Sequence, residues 1–368
     1  MNFLNYFNHT LLKPFTGVLA VMFIFAACSE NPSTSHDATN SNNEIQSQAS
    51  MATQSSPNVV EITAKHEGDE YIFELSTDEI PKGWTTFRLT NDSHSTHFAY
   101  IAGVPQAAKD NAAADNTELL DYWIQHVTNP FQWFMDGIIP GKEQDDADAP
   151  TKYAETLFPT WFGEVVPNGG PGFVGGMSST ETTVYLDEGE YIVECYVKNG
   201  EGDFHSYLGM IELLTVTDES SGAEEPVATT ELNISTNGIE FDRHVSAGEH
   251  VVKVNFDDQT LYDHMLGHDV HLIRMDTGTS VAEVGKWMNW MDPDGLVSSS
   301  SANSLGPATF LGGVQTMTAG SHGYFHVELE PGRYAWVSEI PDPHSNQMLE
   351  VFNVPRGEAT GRGQTGRR

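Results

Sequence analysis

The chain is poor in thiols and in positive charge. Of its 368 residues two are cysteine, Cys28 and Cys195, too few for a disulfide framework. Lys and Arg number 17 against 52 Asp and Glu, a formal net charge of −35. A surface that acidic repels nucleic acid and anionic lipid, so no nucleic-acid partner is expected. No G-x-S-x-G elbow and no H-E-x-x-H helix occurs, which removes two common hydrolase signatures. The glycine-rich stretch "PNGGPGFVGG" (167–176) lacks the lysine and the following helix of a phosphate cradle. On these absences the chain is expected not to be an enzyme.

Long apolar runs are scarce too. "GVLAVMFIFAA" (17–27) follows Lys13 and precedes Cys28. It is too short for an ordinary spanning helix and reads, within residues 1–28, as a signal peptide. "FAAC" resembles a bacterial lipoprotein signal, with Phe25 where leucine is usual. That resemblance implies lipidation of Cys28 and export. The protein would sit in the periplasm or at the cell surface, held to a bacterial membrane by acyl chains. An ordinary cleaved signal or an uncleaved anchor are the competing readings. Residues 29–57 are Ser, Asn, Thr and Gln without aromatics and are expected to be a disordered tether, reaching about 30 Å as a random coil. A polar linker is read at 217–226 and a disordered Gly/Arg tail at 356–368.

What remains is two blocks, 58–216 and 227–355, that look alike. "WTTFRLTND" and "THFAYIAGV" in the first match "HVVKVNFDD" and "GHDVHLIRM" in the second; "TTVYLDEGEYIVECYV" matches "GYFHVELEPGRYAWVSEI". Period-two alternation puts Tyr191, Val193, Cys195 and Val197 on one face of a strand. Tyr334, Trp336 and Ser338 take the matching face. A period above 100 residues means duplicated domains, not a solenoid. Each block carries a helical insertion. Asp115 with Glu118, and Ser280 with Glu283, have the spacing of a capping box. Leu119, Leu120, Trp123 and Val127 then fall on one helical stripe, as do Val281, Val284, Trp287 and Met288.

At "THFAYI" and "ECYVKNGEGDFHSYLGM" the chain resembles the cupredoxin family. The resemblance implies an all-β fold: two tandem Greek-key β-sandwiches, each with a short helical insertion. It implies a metal site with His97 from an early strand and Cys195, His205 and Met210 from the loop between the last two strands. Thiolate and imidazole together suit copper, and a trigonal His₂Cys set with a weak methionine suits electron transfer. Nine residues separate Cys195 from His205, more than small blue copper proteins place there, so that loop must fold back. If it does, both imidazoles should come within about 4 Å of the Cys195 sulfur. In the second block His268, Ser338, His344 and Met348 take the corresponding places. Serine is a poor copper ligand, so this copy is expected to be degenerate and unoccupied; a histidine-only site at His264, His268 and His271 is its alternative. The resemblance thus implies one copper, used for electron transfer or copper handling, with a redox or envelope protein as partner. The His-Cys-His and His-x-His elements of multicopper oxidases are missing. The competing reading is a metal-free binding or scaffolding module, with Cys195 as a small core residue and a surface patch of Trp123, Phe131, Trp133 and Phe134.

Overall fold

The computed structural model describes residues 58–68, 70–137, 157–262, 265–299 and 306–356. The signal segment with Cys28, the tether, the tail from residue 357 and His264 lie outside them. The described residues form one compact body, mostly β-sheet.

The first half contains β1 (Asn58–Glu67), β2 (Glu70–Leu75), β3 (Glu79–Asn91), β4 (Tyr100–Gly103), β5 (Val166–Pro167), β6 (Ser178–Leu186), β7 (Gly189–Glu194) and β8 (Ile211–Ser220). The second contains β9 (Thr230–Ser235), β10 (Gly238–Phe241), β11 (Gly248–Phe256), β12 (Val270–Arg274), β13 (Thr309–Val314), β14 (His322–Leu329), β15 (Gly332–Val337) and β16 (Leu349–Val354). The pairing repeats. β1 pairs antiparallel with β2 and parallel with β3, as β9 does with β10 and β11. β3 pairs with β6 as β11 does with β14. β7 lies between β4 and β8 as β15 lies between β12 and β16. Each half is therefore a two-sheet sandwich: the chain crosses between sheets after β3, β5 and β6 in the first half and after β11, β13 and β14 in the second, a Greek-key arrangement. The two halves join edge to edge where β6 pairs with β14, Thr183 opposite Tyr324.

Alternation explains the core. In β3, Thr85, Phe87, Leu89 and Asn91 point inward, while Arg88 points out and pairs with Glu61 and Glu181. β7 is buried on both faces. Tyr191 and Val193 face the sandwich interior with Cys195, and Ile192 faces the helical insertion. β8 runs through Ser220 into the segment read as a linker.

The helices are α1 (Gln106–Asp115), α2 (Leu119–Trp123), α3 (Asn129–Asp136) and, in the second half, α4 (Val281–Trp287). The capping box at Ser280 forms in part: its side chain accepts from the Glu283 amide. The one expected at Asp115 does not. Asp115 ends α1, Asn116 closes that helix in the left-handed conformation (φ 53°), and Glu118 precedes α2 without a side-chain cap. The aromatic stripe is packing. Trp123 and Val127 are buried with Trp161, and Phe131 meets the rings of Phe158, Phe162 and Trp290. Trp133 and Phe134 are half-buried, so no apolar surface patch forms from these four.

Candidate metal centre

Three donor atoms converge in the first half. The Cys195 sulfur lies 3.7 Å from Nδ1 of His97 and 3.7 Å from Nδ1 of His205, and the two nitrogens are 3.1 Å apart. All three residues are 0% exposed. Sequence separations of 98 and 10 residues have been closed.

His97 sits just before β4, bonded through its backbone in both directions to Val174. Its tautomer follows from its neighbours. The Asn91 amide nitrogen donates to the carbonyls of Ser95, Val174 and Gly175, which fixes the side chain and leaves its oxygen to accept from the Ser93 hydroxyl at 2.8 Å. Ser93 has then spent its proton. Its oxygen must accept from Nε2–H of His97, 2.9 Å away. Nδ1 of His97 therefore carries a lone pair, and that lone pair faces Cys195.

The loop returning His205 is short-range structured. Asn199 accepts from the amides of Glu201 and Asp203 and donates its own amide to the Asp203 carbonyl. Lys198 and Phe204 form a bridge, and Gly202 (φ +96°) turns the chain in the left-handed region. His205 then donates its amide to Val197 at 2.8 Å. Gln132 of α3 accepts from the Phe204 amide at 2.9 Å, which gives the helical insertion a role in seating the loop. Met210 is 0% exposed in the same core, its amide bonded to the His205 carbonyl and its carbonyl to the Cys195 amide.

Burial dominates the electrostatics of the cluster. Burial pushes the Cys195 thiol up to about 12, although the Phe98 and Val197 amides pull it down in part. Burial holds His97 and His205 well below the ordinary histidine value, and each is lowered further by a neighbouring imidazole. Burial thus favours neutral imidazoles and a protonated thiol, and a metal bound there would displace the thiol proton. The spacing fits. First-row bonds of about 2.0 Å to nitrogen and about 2.3 Å to sulfur in a trigonal plane set N···S at about 3.7 Å.

Among the described residues the second half shows no counterpart of this group. His268 is buried, with Nε2 3.1 Å from the Tyr262 hydroxyl. The Ser338 hydroxyl donates to Asp269 at 2.8 Å, and Asp269 also bonds His271 at 2.8 Å. Met348 is buried, but His344 is exposed on the loop after β15. Among the described residues only His97, Cys195 and His205 form a metal-competent group of this kind. His344 thus stands apart from the buried His268, Ser338 and Met348, and His271 is committed to Asp269 rather than to a histidine cluster. A carboxylate network replaces the thiolate.

Sequence reasoning missed three residues here. His66 and Tyr71, a cross-strand pair of the β1–β2 hairpin, lie against the cluster. Tyr71 stacks on His205 at 4.2 Å, and His66 lies edge-on to His97 at 5.2 Å. Lys198, fully buried, donates to the carbonyls of Asp292 (2.7 Å), Trp290 (3.0 Å) and Pro293 (3.4 Å). No local pattern marked His66, and Lys198, three residues past Cys195 and beyond the end of β7 at Glu194, falls on the opposite phase of the alternation.

No protein-family profile matches the chain, and no curated relative does. Solved structures do resemble it in part. Auracyanin A, a blue copper protein from Chloroflexus aurantiacus, is 17% identical over 44% of this chain and 100% of its own, with a TM-score of 0.24. The multicopper oxidase mgLAC is 12% identical over 84% and 89% of the two chains, TM-score 0.21. A copper-containing nitrite reductase from Thermus scotoductus SA-01 is 9% identical over 82% and 68%, TM-score 0.20. At these values the likeness assigns neither activity nor substrate. It does correct the expectation of a non-enzyme. The structures spanning most of this chain include a multicopper oxidase and a copper-containing nitrite reductase, both enzymes. No helix among the described residues is long and apolar enough to cross a membrane.

Proposed function

We propose that the chain is a cupredoxin-like copper protein, holding one copper through His97, Cys195, His205 and Met210. The observation that carries this is the buried triangle of one sulfur and two Nδ1 atoms. When bound, copper in such a set supplies one-electron exchange with little ligand movement. The chain's own residues do the rest. Ser93 and Asn91 hold His97 with its lone pair inward, the Lys198 loop returns His205, and complete burial keeps water from the ligands. The same site serves copper holding as well as electron transfer, with a redox or envelope protein as partner. We read the protein as an exported pair of tandem cupredoxin-like domains, tethered by lipid at Cys28 and metal-free in the second domain.

The test is titration of metal-free protein with Cu(II). An intense visible charge-transfer band should grow to one equivalent and be absent in Cys195→Ser. A colourless wild type, or a Cys195→Ser variant that still colours, refutes the assignment.

A further inference from the structure

His97 and His205 are held differently. Nε2 of His97 is bonded to Ser93 at 2.9 Å. Nε2 of His205 is buried and has no hydrogen-bond partner among the described residues. Metal-binding histidines are ordinarily oriented through the nitrogen that does not face the metal, so His205 needs another device. It has a ring contact. Tyr71 of β2 stacks on the His205 imidazole, with centroids 4.2 Å apart and planes 22° from parallel. A stacked neighbour fixes the plane of a ring, as a hydrogen bond fixes its edge. Tyr71 is held in turn. His66, its cross-strand partner, meets the same phenol ring at 4.0 Å with a tilt of 56°. The Tyr71 amide donates to the Leu208 carbonyl at 3.4 Å, and a Cβ on Gly209 would stand 3.0 Å from the Tyr71 carbonyl oxygen. The β1–β2 hairpin thus rests on Leu208 and Gly209, just before Met210.

We propose that Tyr71 is a positioning residue of the metal centre: its ring sets the orientation of His205, the part that the Ser93 hydrogen bond plays for His97. Tyr71 acts only through that imidazole. Nδ1 of His205 already stands at ligand spacing from Cys195 and His97. Rotation of the ring about its Cβ–Cγ bond would carry Nδ1 out of the triangle, and the stacked phenol face opposes that rotation. The face does this work and the hydroxyl does not, so phenylalanine should replace tyrosine. This role deepens the copper reading and rests on it, because it matters to metal binding only if Nδ1 of His205 is a ligand.

The test compares full-length wild type with Tyr71→Phe, Tyr71→Leu and Tyr71→Met. Leucine and methionine fill much of the space without a ring face. In metal-free protein labelled at histidine, the His205 ring resonances should be single and sharp in wild type and Tyr71→Phe. They should be doubled or exchange-broadened in Tyr71→Leu and Tyr71→Met, while those of His97 stay single and report an intact fold. Cu(II) affinity should fall about tenfold in the two aliphatic variants, with a broadened charge-transfer band, and less than threefold in Tyr71→Phe. Sharp His205 resonances in both aliphatic variants would overturn the proposal. So would unaltered Cu(II) affinity in them, or a Tyr71→Phe protein that behaves as they do. The imidazole spectra need no metal. A wild type that takes up no Cu(II) therefore ends the copper reading, and the ring resonances alone then decide whether Tyr71 orients His205.

Discussion

Lys198→Met tests whether the second half holds the ligand loop in place. The ammonium is fully buried and donates to three carbonyls just beyond α4, two of them at 2.7 and 3.0 Å. Bonds from a charged donor contribute about 1.5–3 kcal/mol each. Methionine fills the space and donates nothing. Against that loss stands a relief. Burial pulls Lys198 from its ordinary 10.5 down to about 8, despite the opposing pull of Asp292 and Asp294. A depression of that size costs the folded state roughly 3 kcal/mol at neutral pH. The two effects nearly offset, so the variant should lose only about 1–3 kcal/mol at pH 7, the cost of leaving buried carbonyls unpaired. The pH profile is the sharper readout. The folded value lies below the unfolded one, so between about pH 8 and 10.5 the unfolded chain binds more protons. Stability of the wild type should therefore rise with pH across that window, and the rise should vanish in Lys198→Met. Urea unfolding at pH 7 and pH 10 measures both. A Cu(II) titration of the same variant should show a broader, weaker charge-transfer band as the loop loosens. Parallel pH profiles for the two proteins would refute the reasoning, as would an unaltered band.

Ser93→Ala removes the acceptor that fixes the His97 tautomer; Cu(II) affinity should fall roughly 10- to 100-fold by competition titration, while Cys195 stays buried. With its thiol raised to about 12 by burial, Cys195 in the metal-free protein should resist a thiol reagent at pH 8 and react at once in denaturant. Cu(II) binding near pH 7 should release about one proton, readable in weakly buffered solution. Gly170→Ala should abolish folding or lower stability by more than about 3 kcal/mol in thermal melts, because its Cβ would stand 2.1 Å from the Ala99 carbonyl at φ +111°. Gly163→Ala, with nothing within 4 Å of the new Cβ, is the neutral control.

Alternation along the chain made the β-sandwich legible, and the likeness of the two blocks returns as a matched set of strand pairings. The cluster was legible because residue type and order survive in sequence: a thiol at a strand end, then an imidazole after a glycine-bearing loop. Other features had no such trace. α1 escaped because it lacks an apolar stripe: Ala108 and Ala112 are its buried residues, and alanines give no period. The capping box at Asp115 failed for the same reason, since a helix end looked like a helix start. His66 is one histidine beside a turn, 31 residues from His97 in sequence, and only the parallel register of β1 with β3 brings it there. His344 misled because matching by order ignores the backbone. The loop after β15 leaves it exposed.

The second half keeps the fold and not the site, and the contacts give a reason for its retention. Both segments that carry the donors are anchored on it. Lys198 exchanges backbone bonds with Leu296 and Ser298, each 2.9 Å, beside its three side-chain bonds. On the other side, the glycine-rich segment lies as an extended strand between the His97 segment and β13. Ala99 and Ile101 donate to it from the first half; Gly172 and Gly175 bond Gly313 and Phe310 of the second. Close approach explains its composition, because a Cβ at Gly172 would stand 2.8 Å from the Gly313 backbone. A lone sandwich could bend its early strand against its last loop and let the sulfur and nitrogens drift. Clamping both onto a second sandwich fixes the 3.1 Å and 3.7 Å separations without help from a metal. On that account the second half needs no ligands of its own: its contribution to the centre is rigidity, and substitutions at the Lys198 and Gly172 contacts should disturb the first half's site more than any change at His268 or His344.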